Sequence, residues 1–134
     1  MVAILFCWLA VTLPVVGRTA AVGHDLPVDL HARILQREDE RNLNGTELTD
    51  LLKNRSVLVR ERVALALGRI GDRRATRPLL EAFEREGVDA VRRMIVFALG
   101  EMEDPLAAPL LLRLLGPEKA SPTLRARAGE ALGK

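Results

Sequence analysis

The chain has 134 residues, of which 49% are hydrophobic and only 3% aromatic. That is enough for one small domain, with a core of Ala, Leu and Val suited to close helix packing. The 20 basic and 18 acidic residues are interspersed and leave a formal charge of +2, so no basic run supports nucleic-acid binding. The only cysteine is Cys7, inside the N-terminal apolar stretch. Without that stretch the protein has no thiol, which excludes disulfides and thiolate metal sites.

Residues Val2 to Val16 read VAILFCWLAVTLPVV and carry no charge. The run is short of the roughly 20 residues that a membrane span needs. It fits the apolar region of a secretory signal peptide, with Thr19-Ala20-Ala21 or Ala21-Val22-Gly23 as the small residues a peptidase reads. Against this, no Lys or Arg precedes the run and Arg18 follows it. An uncleaved membrane anchor, or a core helix behind a mis-assigned start, are the alternatives. The expected location is the periplasm or cell envelope, with membrane contact only through this segment if it stays uncleaved.

Gly17 to Pro27 reads as a linker. Asp25 is placed to cap a helix starting near Pro27, with Leu30, Ile34 and Leu35 on one face. Its second half, Gln36 to Arg41, is almost wholly charged and is expected to be a solvated end, stopped by Asn42 to Gly45. Thr46 is placed to cap a short helix carrying Leu48, Leu51 and Leu52, and Asn54 to Ser56 is a turn. A strong helical phrase follows, VRERVALALGRIGD from Val59 to Asp72. Val59, Val63, Leu67 and Ile70 fall at offsets 0, 4, 8 and 11, one face of an α-helix. Gly71-Asp72 stops this helix and caps the next element. Pro78 to Glu84 is a further helix, with Pro78 early, where a missing N–H costs little. Gly87 ends it.

The phrase then returns as VRRMIVFALGEMED from Val91 to Asp104, with Val91, Ile95, Leu99 and Met102 at the same offsets. Glu103-Asp104-Pro105 is a turn, Pro109 to Leu115 another helix, and Gly116 to Pro122 a loop. A third copy, LRARAGEALGK, runs from Leu124 to Lys134, capped by Ser121 or Thr123. Arg60, Arg92 and Arg125 recur at steps of 32 and 33 residues, as does the Leu-Gly of Leu67-Gly68, Leu99-Gly100 and Leu132-Gly133. Such a period marks a solenoid of stacked helix pairs. The third copy stops before its turn and no polar closing repeat follows. The chain is therefore expected to be part of a longer protein.

The phrase resembles the second helix and turn of a HEAT-like repeat. The first copy matches at Val59-Arg60, Ala64, Ala66-Leu67-Gly68 and Ile70-Gly71-Asp72. The second matches at Val91-Arg92, Ala98-Leu99-Gly100 and Asp104, with Glu103 in place of the Gly. The third matches at Arg125, Ala128 and Ala131-Leu132-Gly133. The resemblance implies an all-α fold, a short α–α superhelix of antiparallel helix pairs. The expected divisions are residues 1–22 as signal peptide or anchor, 23–47 as linker and N-terminal helix, and 48–134 as HEAT-like repeats. More narrowly, Arg33 to Asp39, and Arg92-Arg93-Met94 with Phe97 to Gly100, are similar to the N-terminal region of exported bacterial proteins. Those join such repeats to a cyclophilin-type peptidyl-prolyl isomerase domain. None of that domain's aromatic and His pocket is present here, so no catalytic residue is carried over. Helpers of bilin attachment also use this repeat, and export would count against that reading.

No residue pattern calls for chemistry, a cofactor or a metal. His24 and His31 are seven apart, not the i, i+4 of a helical metal site, and read as surface residues. Glu38, Asp39 and Glu40 point in different directions on a helix, so a solvated end, with a contact surface as the alternative, is preferred to an acid–base pair. Asn44-Gly45-Thr46 and Asn54-Arg55-Ser56 fit the glycosylation pattern but also have plain turn roles. Ser56, Ser121 and the threonines have no His or Lys partner. The recurring arginines are expected to be structural, reaching carbonyls or an acidic side chain of a neighbouring turn, with Asp72 and Asp104 as partners or caps.

The family resemblance places the second helices on the concave face. Residues between the core positions would then point into a groove: Arg62, Leu65 and Arg69, then Arg93, Met94, Phe97 and Glu101, then Arg127 and Glu130. Leu65, Met94 and Phe97 would set apolar area beside charge, the form of a protein- or peptide-binding site. The alternative is packing against following repeats or another domain. The expected function is a non-catalytic scaffold that binds a protein or peptide segment of unknown identity. The other reading is the repeat region of a larger peptidyl-prolyl isomerase.

Overall fold

The computed structural model describes residues 26–116 and 120–134. The N-terminal apolar run, Cys7, His24 and the Asp25 cap lie outside the described residues. Seven α-helices follow one another among the described residues: α1 Val28–Asp39, α2 Glu47–Leu51, α3 Val57–Ile70, α4 Thr76–Arg85, α5 Asp89–Glu101, α6 Ala108–Leu115 and α7 Pro122–Leu132. Two short 3-10 turns, Arg73–Ala75 and Pro105–Ala107, lead into α4 and α6. There is no strand among the described residues.

The helices form two layers. α1, α3, α5 and α7 stack in that order as an inner layer, while α2 packs on α3, α4 on α5 and α6 on α7. Both periodic ladders are core: Val59, Val63, Leu67 and Ile70 are buried, and so are Val91, Ile95, Leu99 and Met102. The core continues through Leu79, Phe83, Leu110, Leu111 and Leu114 of the second layer. β-branched residues are poor helix formers, so burial of this face holds α3 and α5 helical more than propensity does.

The inner layer is closely spaced because of the glycines of the first two Leu-Gly pairs, Gly68 and Gly100. A Cβ on Gly68 would lie 2.9 Å from the Ala98 Cα, and one on Gly100 would lie 2.9 Å from the Ala131 Cα. Glycine inside a helix costs about 1 kcal/mol relative to alanine. Here it lets one backbone approach the next, and alanine on the facing helix completes the fit.

Turns follow local chemistry. Gly71 ends α3 at φ 71°, and Glu103 takes the equivalent left-handed conformation at φ 47°. Arg73 Nε and an Nη donate to the carbonyls of Met102 and Glu103 and hold that second turn. The Asp72 and Asp104 carboxylates accept from the backbone N–H of Arg74 and Leu106 at 2.9 and 3.0 Å. They are therefore caps rather than partners of the recurring arginines. Asn54 Oδ1 accepts from Ser56 N at 2.9 Å, and Ser121 Oγ accepts from Leu124 N at 3.3 Å.

One expectation for the first helix needs correction, and a second holds only in part. Leu35 is 38% exposed and lies off the buried face, which Ile34 occupies with Leu30 partly buried beside it. The charged second half is solvated at Gln36, Asp39, Glu40 and Arg41, as expected, but not at Glu38. Glu38 is drawn onto α3, and α1 is packed as the first member of the inner layer.

Candidate functional site

On α3, Arg62, Leu65 and Arg69 are three and four residues apart and form one stripe beside the core ladder. A step of 32 residues carries the stripe to Met94, Phe97 and Glu101 on α5, and a step of 33 to Arg127, Glu130 and Lys134 on α7. Stacking brings these stripes side by side on the face of the inner layer away from the second layer. The Arg127 guanidinium lies 5.8 Å from the centre of the Phe97 ring, and the Lys134 ammonium lies 5.7 Å from it. Lys134 also pairs with Glu101, and Arg127 with Glu130 at 2.8 Å.

A ladder of alternating charge runs across the last turns: Glu38, Arg69, Glu101 and Lys134. Glu38 pairs with Arg69, and Glu101 with Lys134. No bond joins Arg69 to Glu101 among the described residues. At that open step lies a hollow of about 730 Å³, with Gly68, Gly71 and Phe97 against it and Glu38, Asp39, Arg41, Arg69 and Glu101 as its charged lining. The chain leaves α1 at Arg41 with φ 44°, a turn that brings this residue to the rim. A smaller notch of about 60 Å³ lies on the other side of Phe97, between it and Gly100, Arg127 and Lys134. Among the described residues, Phe97 is thus the one side chain shared by both hollows.

The remaining stripe residues differ in their availability. Arg62 is spanned by Glu38 at 2.6 Å and its side chain is only 13% exposed. Leu65 is half-buried between Arg62 and Arg69. Met94 packs against the core cluster, so it is less an anchor than a support. Arg93 is half-buried and makes no ion pair among the described residues. The face therefore brings Arg69, Phe97, Glu101 and Arg127 together with Leu65 alongside, while Arg62 faces Glu38. Sequence reasoning left Arg41 out of the site and preferred a solvated end for Glu38 and Asp39. Their only signal was the lone buried Ile34 face, which turns the charged end of α1 toward α3.

Burial pushes the Glu38 carboxyl up, but hydrogen bonds from Arg69 and Arg62 and their charges outweigh it and hold the group below its ordinary value of 4.5. A carboxyl depressed on folding adds stability that is fully present above about pH 4.5 and is lost as pH falls through the folded-state value. Glu38→Ala should cost about 2 kcal/mol at pH 7, because it leaves the guanidinium of Arg62 covered and unpaired. Arg69→Ala, at a side chain 54% exposed, should cost about 0.5 kcal/mol. Urea midpoints at pH 7 and pH 3 check both. Glu38→Gln should remove part of the loss seen in acid.

Of the three recurring arginines, Arg60 holds a turn, as expected. Arg60 donates to Glu86 at 2.7 and 3.1 Å and to the carbonyls of Asn54 and Arg55 at 2.8 and 3.1 Å. Arg92 lies over the Phe83 ring at 4.9 Å. Among the described residues no group of three or more His, Cys, Asp or Glu is arranged to hold a metal, and no helix is long and apolar enough to cross a membrane.

The family model of the PBS lyase HEAT-like repeat matches residues 59–85 and 91–116. Each match runs from the first residue of a core ladder through the following second-layer helix, which is the unit the packing defines. The matched segments are similar to HEAT-like repeats, and the stacked helix pairs form an all-α HEAT-like repeat fold. No curated protein matches it.

Proposed function

We propose that the protein is a non-catalytic scaffold that binds a protein or peptide segment across the inner-layer face, with Phe97 and Leu65 as apolar anchors. The observation that supports this most is the position of Phe97, half-buried and shared between two hollows, with charges of both signs around it. An aromatic anchor ringed by orienting charges is the usual form of a peptide-recognition hot spot. The alternating ladder fits a segment that also carries both signs, since each step offers a cation beside a carboxylate. The uncharged run from Val2 to Val16 supports export to the periplasm or envelope.

The test uses peptides selected from a displayed library on the full chain. Leu65→Ser with Phe97→Ser should weaken the selected peptides at least about 100-fold, the loss of two hot-spot side chains, with far-UV circular dichroism near wild type. Unchanged affinity would refute the face. Collapse of the helical signal would show that these side chains are core, and Arg69→Glu then serves as the surface variant for the same comparison.

A second reading rests on the likeness of Arg33 to Asp39, and of Arg92 to Gly100, to exported cyclophilin-type isomerases. In that reading these repeats present a substrate to a catalytic domain outside this sequence. A proline-isomerisation assay on a natural product extending past Lys134 decides it, and background activity would end it.

A further inference from the structure

A second hollow, of about 580 Å³, lies at the opposite edge of the repeats, where the α2–α3 and α4–α5 turns meet. Leu52, Ala82 and Val88 supply its aliphatic lining. One wall is already fixed. Arg60 spends its Nε and both terminal nitrogens on Glu86 and on the Asn54 and Arg55 carbonyls. Glu86 is saturated in turn, accepting also from Val88 N at 2.8 Å. Burial pushes the Glu86 carboxyl up, but the Arg60 hydrogen bond and the backbone N–H groups of Val88 and Gly87 outweigh it and keep it charged. The other two charged residues against the hollow are Lys53 and Arg85. Both are exposed, and neither forms an ion pair among the described residues.

The hollow therefore holds the cations Lys53, Arg60 and Arg85 against the single carboxylate of Glu86, which Arg60 already neutralises. The inner-face hollow is the reverse, with Glu38, Asp39 and Glu101 against Arg41 and Arg69. Two uncommitted cations over an aliphatic floor complement a carboxylate next to an aliphatic side chain. A rigid wall means that little has to be ordered when such a group arrives. We propose that this hollow is a second docking site, distinct from the inner face, that takes an acidic peptide segment. A leucine-sized side chain would sit against Leu52, Ala82 and Val88, and the neighbouring carboxylate would lie between Lys53 and Arg85.

The probe is a fluorescein-labelled hexapeptide of alternating Glu and Leu, titrated with the full chain and followed by anisotropy. Binding should weaken as salt is raised. Lys53→Glu with Arg85→Glu should weaken it at least about tenfold, the scale of one lost charge-assisted contact. Both residues are exposed, so the fold should persist, and circular dichroism checks this. Leu65→Ser with Phe97→Ser should leave this affinity unchanged, which separates the site from the inner face. No binding by the wild type at millimolar protein would overturn the proposal. So would equal affinity of the double variant, equal affinity for a Lys–Leu hexapeptide, or full displacement by inorganic phosphate at the peptide's concentration, since the hollow would then read charge alone.

Discussion

Gly100→Val should detach α7 from the stack and lower stability by about 3 kcal/mol, the upper part of the usual cost of overpacking. The reason is the closeness of the backbones. A Cβ at Gly100 would sit 2.7 Å from the Ala131 Cβ and 2.9 Å from its Cα. The near atoms belong to the backbone and to a side chain with no rotamer to change, so the helices must separate. The gain in helix propensity over glycine, under 1 kcal/mol, does not offset this. Hydrogen exchange reads the result by segment: amides of α7 should lose protection first, and those of α3 should change least. Uniform protection with an unchanged urea midpoint would mean that the inner helices are not held at this distance.

Leu99→Ala should cost about 3 kcal/mol, and Leu132→Ala under 1 kcal/mol, although both residues stand before the repeat glycine. Leu99 is 1% exposed, enclosed by the inner layer and the second layer, whereas Leu132 is 37% exposed. Deleting Leu99 leaves a cavity that helices on both sides restrain from collapsing. Paired thermal or urea unfolding of the two variants checks the contrast. Equal losses would show that the motif, rather than its enclosure, sets the cost.

The parts of this fold legible in the sequence are those that repeat at short range. Val59, Val63, Leu67 and Ile70 announce their buried face through the 3.6-residue period alone, and their counterparts from Val91 to Met102 repeat it. The Gly71-Asp72 turn is also local, since it needs only one left-handed residue and one carboxylate. Glu103 shows the limit of that reading. It adopts the glycine-like conformation because Arg73, 29 and 30 residues away in its two hydrogen bonds, holds the turn from outside.

The candidate site was legible only in part for the same reason. Stripe positions follow from the repeat, so Arg69, Phe97, Glu101 and Arg127 were found on one face. What occupies the face with them was not. Glu38 reaches Arg62 and Arg69 across 24 and 31 residues, and nothing periodic links α1 to the later copies. A run of charges at a helix end reads as solvated until its docking partner is known. The Arg60 partner was hidden likewise, because Glu86 lies 26 residues away, outside the repeated phrase. The division between Met94, which leans on the core, and Phe97, which borders two hollows, depends on a one-turn difference along α5.

The central claim is that the exposed face of the inner helices is the recognition surface. Hydrogen exchange of the full chain, free and saturated with a library-selected peptide, tests it most directly. The account predicts new protection in the last two turns of α3 and α5 and around Glu38 to Arg41, absent when Leu65 and Phe97 are both serine. Protection confined to α4 and α6, or to the α2–α3 and α4–α5 turns, would contradict it.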